Sequence, residues 1–278
     1  MKYAVCNELF DKLDFKKSCL IAAKFGFQGI EIAPFTLFDD PKNVDIKKIH
    51  KIKQILKQAG LKFVGFHWLF LSPKGLHITT PDLTIRKRSW DHLKRLVDIA
   101  GELGGGVLVL GSPNQRNAIG ISPEEALKYL KRGLSKIAQY TAERNSTILI
   151  EAISKKYTNI INTLEESKQL IQSVNKVGIN GMFDFHNCAD ENISWPELIE
   201  NYFDIIQHVH LNGVNGSYPS TKDINFIPAF LKLAQKKYKG WISLEIFNKP
   251  NNPELILSKT RNFLIEMERK IKLVKEVK

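Results

Sequence analysis

Four polar residues stand where strand-like apolar runs end, and together they make a ligand set for a divalent cation. They are Glu151 closing TILIEAI, Asp184 in GMFDFHNC, His210 in HVHLN and Glu245 in WISLEIF. A charge at the end of a buried strand is costly unless it is paired or bound to metal. Three carboxylates and one imidazole suit Mn²⁺, Mg²⁺ or Co²⁺, with Zn²⁺ as an alternative. The hard oxygen donors argue against a thiolate-type structural zinc. A six-coordinate ion held by four side chains keeps two positions, where a vicinal hydroxy-carbonyl compound could chelate. The ion would polarise the carbonyl and stabilise an enediolate, and a carboxylate on each side could move the proton. Taken singly, each residue has a plainer explanation: a strand-end Glu can accept backbone N–H bonds, and a strand His is commonly a satisfied core residue.

Other residues fall at the same level of the chain. His67 ends GFHWLF and Glu31 lies in GIEIAPF. Arg116, in GSPNQR, could grip an anionic substrate group by its guanidinium fork. His186 and Asn187 follow Asp184, and Asn212 follows His210. We take Glu31, His67, Arg116, His186 and Asn212 as candidate substrate contacts. His208, in phase with His210, is expected to be core or to support the ligands. Cys188 lies close to Asp184 and is read as a half-buried thiol. Trp90, Trp195 and Trp241 are read as helix–barrel packing.

The elements that would position these residues alternate regularly. Eight apolar runs, from YAVCNELF to WISLEIF, are separated by amphipathic stretches. Helices are expected from Phe15 to Phe25, Val44 to Ala59 and Leu83 to Leu103, and from Ser122 to about Arg144. Further helices are expected from Thr163, from Ser194, from about Phe226 to Tyr238, and from Pro253 to about Lys275. The spacings between the four ligand candidates are 33, 26 and 35 residues, each close to one βαβ repeat. Eight such units in 278 residues predict a single (β/α)8 TIM barrel over residues 1–278. A doubly wound open sheet would need fewer strands and usually a glycine-rich first turn, and AVCNELFDK has no glycine. In a barrel the strands' C-terminal ends carry the active groups. The two-residue period places Leu149 with Glu151, Met182 with Asp184 and His186, and His208 with His210, each set on one face.

Composition bounds the partners. Lys+Arg number 41 against 29 Asp+Glu, a net charge of +12. Much of this charge lies on one helix face (Lys47, Lys48, Lys51, Lys53, Lys57) and in the tail (Lys270, Lys272, Lys275, Lys278). Such runs are usually solvated faces, so nucleic acid is disfavoured as a partner. Three cysteines without CxxC spacing suggest a reducing compartment. With no signal-like start and no membrane-length apolar run, a cytoplasmic location is expected. A homo-oligomer is compatible with such a barrel, although no diagnostic interface can be read.

At these residues the chain resembles the sugar phosphate isomerase/epimerase superfamily with the xylose isomerase-like barrel. Its branches include tagatose/psicose 3-epimerases, hydroxypyruvate isomerase, inosose-handling enzymes and endonuclease IV. The resemblance covers nearly the whole chain. It is carried by FHWLF-SPKGLHITTPD, LVLGSPNQR, ILIEA to YTNIINT, FDFHN, HVHLN and LEIF. It implies one divalent metal held by Glu151, Asp184, His210 and Glu245, with Glu151 and Glu245 as the acid/base pair of the epimerase branch. The implied substrate is a small sugar, sugar phosphate or related hydroxy-carbonyl compound. Three departures stand out. Tyr157 replaces the second Glu that ketose 3-epimerases carry after the fifth-strand ligand. Their Asp-x-x-His motif is one residue shorter here, as Asp184-Phe185-His186. The arginine after their seventh-strand His has no counterpart among Asn212 and Asn215. Two rivals remain: an endonuclease IV-type phosphodiesterase, which needs a three-metal site, and a sugar-binding barrel without turnover.

Overall fold

The structure, a computed structural model, describes residues 1–11, 13–222, 226–248 and 252–276. Lys278 of the basic tail lies outside them. Eight parallel strands close into a barrel in the order β1 to β8. They are β1 (Lys2–Cys6), β2 (Gly29–Ile32), β3 (Lys62–Phe66), β4 (Val107–Leu110), β5 (Thr147–Ile150), β6 (Ile179–Asp184), β7 (Ile206–Leu211) and β8 (Trp241–Leu244). The surrounding helices are α1 (Phe15–Lys24), α2 (Ile46–Ala59), α3 (Leu83–Leu103), the single turn α4 (Pro113–Arg116), α5 (Pro123–Ala142), α6 (Leu164–Val174), α7 (Trp195–Tyr202), α8 (Phe226–Gln235) and α9 (Pro253–Glu276).

Local sequence explains most of the boundaries. Asp14, Asp45, Asp82, Ser122 and Thr163 each cap a helix by accepting a backbone N–H from its first turn. Glu166 completes the TLEE pattern by accepting from Asn162 N rather than from the cap residue. Gly60 and Gly104 end α2 and α3 in the left-handed conformation. The first run stops early: after Cys6, Asn7–Phe10 turn into a 3₁₀ helix. Asn7 holds that turn by accepting from Ala33 N and donating to Thr36 Oγ1, both at 2.7 Å.

Two cores follow from the alternation of side chains. The large one lies between strands and helices. There Phe185 packs edge-on against Phe183 and Trp195, with ring centroids 4.9 Å apart in both pairs. A smaller cluster of Ala4, Val64, Val107, Val109, Leu149 and Met182 fills the barrel interior. Trp241 packs against this interior cluster, which corrects the expectation of helix–barrel packing for it. The reason is strand phase: Trp241 shares a face with Ser243 and Glu245, and that face points inward. Trp195 packs outside the barrel as expected. Trp90 lies between α3 and α5, where a Cβ on Gly133 would sit 2.0 Å from its ring.

Candidate functional site

All four ligand candidates meet at the C-terminal mouth of the barrel. Glu151 follows β5, Asp184 ends β6, His210 lies in β7 and Glu245 follows β8. Each offers one ligand atom within 4.8 Å of the others, and all four residues are buried. Adjacent side chains hold them in place. Asp184 Oδ1 accepts from Asn187 N at 2.7 Å, and Oδ2 accepts from Asn212 Nδ2 at 3.2 Å. Asn187 Nδ2 donates to Glu151 Oε1 at 3.2 Å. Phe185, wedged into the aromatic cluster outside, turns Asp184 inward by alternation. Gly111 leaves room for Glu151: a Cβ there would sit 2.1 Å from Oε2.

His210 is the most informative of the four. Its Nε2 lies 3.0 Å from Glu31 Oε1 in a hydrogen bond. Its Nδ1 faces Glu245 Oε2 at 2.9 Å and Asp184 Oδ2 at 3.7 Å. The angle at that buried nitrogen is poor for a hydrogen bond, so its 2.9 Å approach to Glu245 is an ion-pair contact. An imidazole nitrogen amid three carboxylates has the donor chemistry of a hard divalent cation site. The residues present fit the ion that their types suggest.

The charges are unevenly held. Burial, then the neighbouring Asp184 and Glu245, pushes Glu151 up to about 8. Burial and Glu245 also raise Asp184. Burial raises Glu245 too, but the attraction of His210 outweighs it and holds that carboxyl below its ordinary range. Burial lowers His210, yet Glu245 and Glu31 together lift it well above the usual imidazole value. In the cation-free protein, therefore, Glu151 keeps a proton at neutral pH while Glu245 is ionised.

A cavity of ≈ 270 Å³ opens above the cluster. Glu151, His210 and Glu245 line it, with His67, Trp68, Tyr157, His186, Asn187, Asn215, Phe247 and Asn248 among the remaining walls. His67 and His186 thus stand where a substrate contact must. His67 is bonded to Glu8 through Nε2 at 2.8 Å, and His186 Nδ1 donates to Val214 O at 2.6 Å. Tyr157 lies at the rim, its ring 6.4 Å from that of His186, so the residue that departs from the epimerase pattern faces the cavity.

Three other candidates are placed elsewhere. Arg116 is fully buried and outside the cavity wall, donating to Leu110 O and Ile161 O. A grip on substrate by Arg116 is corrected on this ground: its fork is turned inward to tie the loops after β4 and β5 together. Glu31 lies wholly buried inside the barrel, accepting from His208 and His210. Asn212 is fully buried, bonding Asp184 and accepting from His186 N at 2.8 Å. Neither of these two lines the cavity; each instead hydrogen-bonds a member of the cluster. Cys188 is buried and absent from the ligand groupings found among the described residues. Glu8 escaped the sequence reading. It lies in NELF, two residues past the end of β1, and its only signal was an acid inside an apolar run.

The model of the family described as "Xylose isomerase-like TIM barrel" matches residues 19–267. An L-ribulose 3-epimerase from Methylomonas sp. is 24% identical over 241 residues, covering 84% of this chain and 78% of that protein. A probable endonuclease 4 from Acholeplasma laidlawii is 26% identical over 192 residues, covering 66% and 64%. Among solved structures, an L-ribulose 3-epimerase superimposes with a TM-score of 0.85 at 17% identity, covering 100% of this chain and 98% of its own.

Proposed function

The chain belongs to the xylose isomerase-like TIM barrel family, and from that footing we propose that it is a divalent-metal-dependent epimerase or isomerase. Its substrate is a small sugar, sugar phosphate or related hydroxy-carbonyl compound. The observation that carries this reading is the meeting of Glu151, Asp184, Glu245 and Nδ1 of His210 in one buried cluster, three of whose members line the cavity. The similarity to an L-ribulose 3-epimerase in sequence supports the isomerase class.

Glu151, Asp184, His210 and Glu245 hold the cation, Mn²⁺ being the first candidate by donor type. When bound, a divalent ion there supplies Lewis-acid polarisation of a substrate carbonyl. The chain's own residues do the rest. Glu151 and Glu245 approach the cavity from β5 and β8, so a substrate between them presents one face to each. One carboxylate takes the proton from the carbon beside the carbonyl, and the carboxyl on the opposite side gives its own proton to that carbon's other face. Asn187 keeps Glu151 aimed, while His67 and His186 are the polar walls available to substrate hydroxyls.

The test is solvent deuterium uptake at carbon across a panel of ketoses, ketose phosphates and hydroxy-carbonyl acids in D₂O, with and without added Mn²⁺. Metal-dependent uptake is expected with at least one member. Glu151→Gln and Glu245→Gln are each expected to abolish it while leaving the circular dichroism spectrum unchanged. Uptake at the wild-type rate in both variants would refute their assignment. The +12 charge and the likeness to a probable endonuclease 4 favour one rival, a DNA phosphodiesterase. Cleavage of abasic DNA together with three zinc ions per chain would establish that instead.

A further inference from the structure

We propose that Glu31 is a positioning residue for the cation site, fixing the tautomer and tilt of His210 from the far side of the ring. The proposal rests on the reading that Glu151, Asp184, His210 and Glu245 hold a divalent ion. Glu31 is fully buried inside the barrel, where an ionised carboxylate must find strong donors or be neutralised. It finds two on β7. Oε2 accepts from His208 Nε2 at 2.8 Å and Oε1 accepts from His210 Nε2 at 3.0 Å. An ionised carboxylate only accepts, so both Nε2 atoms must carry hydrogen. A neutral His210 with hydrogen on Nε2 has its lone pair on Nδ1, and Nδ1 is the atom that faces Asp184 and Glu245. The tautomer that binds a cation is thus selected one ring-width away from it.

The second bond explains why His208 stands below His210 in the same strand phase. It occupies the other oxygen of Glu31 and stops the carboxylate from rotating away. The remaining neighbour is His67, whose Nδ1 lies 3.6 Å from Glu31 Oε1 while its Nε2 bonds Glu8 at 2.8 Å. Glu31 thus lies beside a cavity-wall histidine while bonded to the ligand histidine. Sequence position supports the role: β2 sends Glu31 inward beside Cys6 of β1 and Gly65 of β3, across the interior from β7.

The experiment uses the full chain. Mn²⁺ affinity is measured by electron paramagnetic resonance titration for wild type, Glu31→Gln and Glu31→Met, with melting temperature followed in parallel. Loss of the acceptor in Glu31→Met is expected to weaken Mn²⁺ binding by about 10–100-fold, with Glu31→Gln, which keeps one oxygen, falling between it and wild type. A melting temperature that drops while Mn²⁺ affinity stays at the wild-type value would overturn the proposal and leave Glu31 a purely structural residue. Failure of wild type to bind Mn²⁺ would overturn the metal-site reading and this inference with it, an outcome distinct from tight wild-type binding that the variants leave untouched. Should both variants fail to fold, the wild type still decides. In the Zn²⁺-loaded, ¹⁵N-histidine-labelled protein, His210 must bind metal through Nδ1 and carry an exchange-protected proton on Nε2. Metal on Nε2 would overturn it.

Discussion

Gly111→Ala separates folding from function at one atom. A methyl carbon at this position would lie 2.1 Å from Glu151 Oε2 and no closer than 3.4 Å to the other neighbours found. Only the tip of a flexible side chain obstructs it, so the fold can accept the methyl at little cost. Glu151 cannot. Its oxygen must retreat by about 1 Å to reach a tolerable contact, and a misplacement of that size at a reacting group costs roughly 10²-fold, equivalent to about 2.7 kcal/mol. The expected result is a loss of about two orders of magnitude in deuterium uptake on the responding substrate, with weakened Mn²⁺ binding and a melting temperature within a few degrees of wild type. The assays are exchange followed by mass spectrometry, an Mn²⁺ titration and a thermal melt on one preparation. Wild-type exchange and affinity in Gly111→Ala would refute the placement of Glu151 in the reacting centre.

Arg116→Met removes the donor that two buried carbonyls share, Leu110 O and Ile161 O. We expect a loss of about 2–4 kcal/mol in denaturant melts with KM unchanged, whereas a raised KM at unaltered stability would return Arg116 to substrate contact. Asn212→Leu leaves His186 N without its acceptor and Asp184 without a donor. It should cost about 1–3 kcal/mol, and a KM effect without a stability effect would contradict this. Metal binding should release protons. Glu151 folds with a value near 8, above its ordinary one, so the cation-free fold holds a proton that the unfolded chain gives up. Stability of the cation-free protein then falls as pH rises from about 4.5 toward 8. The gain in melting temperature on adding Mn²⁺ should accordingly be larger at pH 8 than at pH 6, with about two protons released per ion at pH 7, one from Glu151 and one from His210, by calorimetry in buffers of differing ionisation enthalpy; equal gains at the two pH values would contradict it.

The barrel and the four-residue cluster at its mouth were legible because both rest on periodicity. Eight apolar runs at βαβ spacing specify the closed sheet, and the two-residue period carries Glu151, Asp184, His210 and Glu245 to one mouth. Period failed where the chain leaves the strand. Arg116 lies in a one-turn helix, α4, where no phase predicts direction, and its fork turned inward to two carbonyls. Glu8 lies in a 3₁₀ turn inside what reads as a continuous apolar run. Glu31 was found, but its partners were not. Strand phase aims it inward, while its pairing with His208 and His210, nearly 180 residues away, appears only once the barrel closes. Trp241 shows the reverse error, since the phase applied to Glu245 would have sent it inward as well.

Anomalous diffraction from crystals grown with Mn²⁺, recorded at the manganese edge, bears most directly on the proposed centre. Coordination by the four strand-end side chains predicts one strong peak per chain, within bonding distance of oxygens from Glu151, Asp184 and Glu245 and of Nδ1 of His210. A peak bound elsewhere, or an empty cluster in crystals that hold Mn²⁺ at another position, would contradict it.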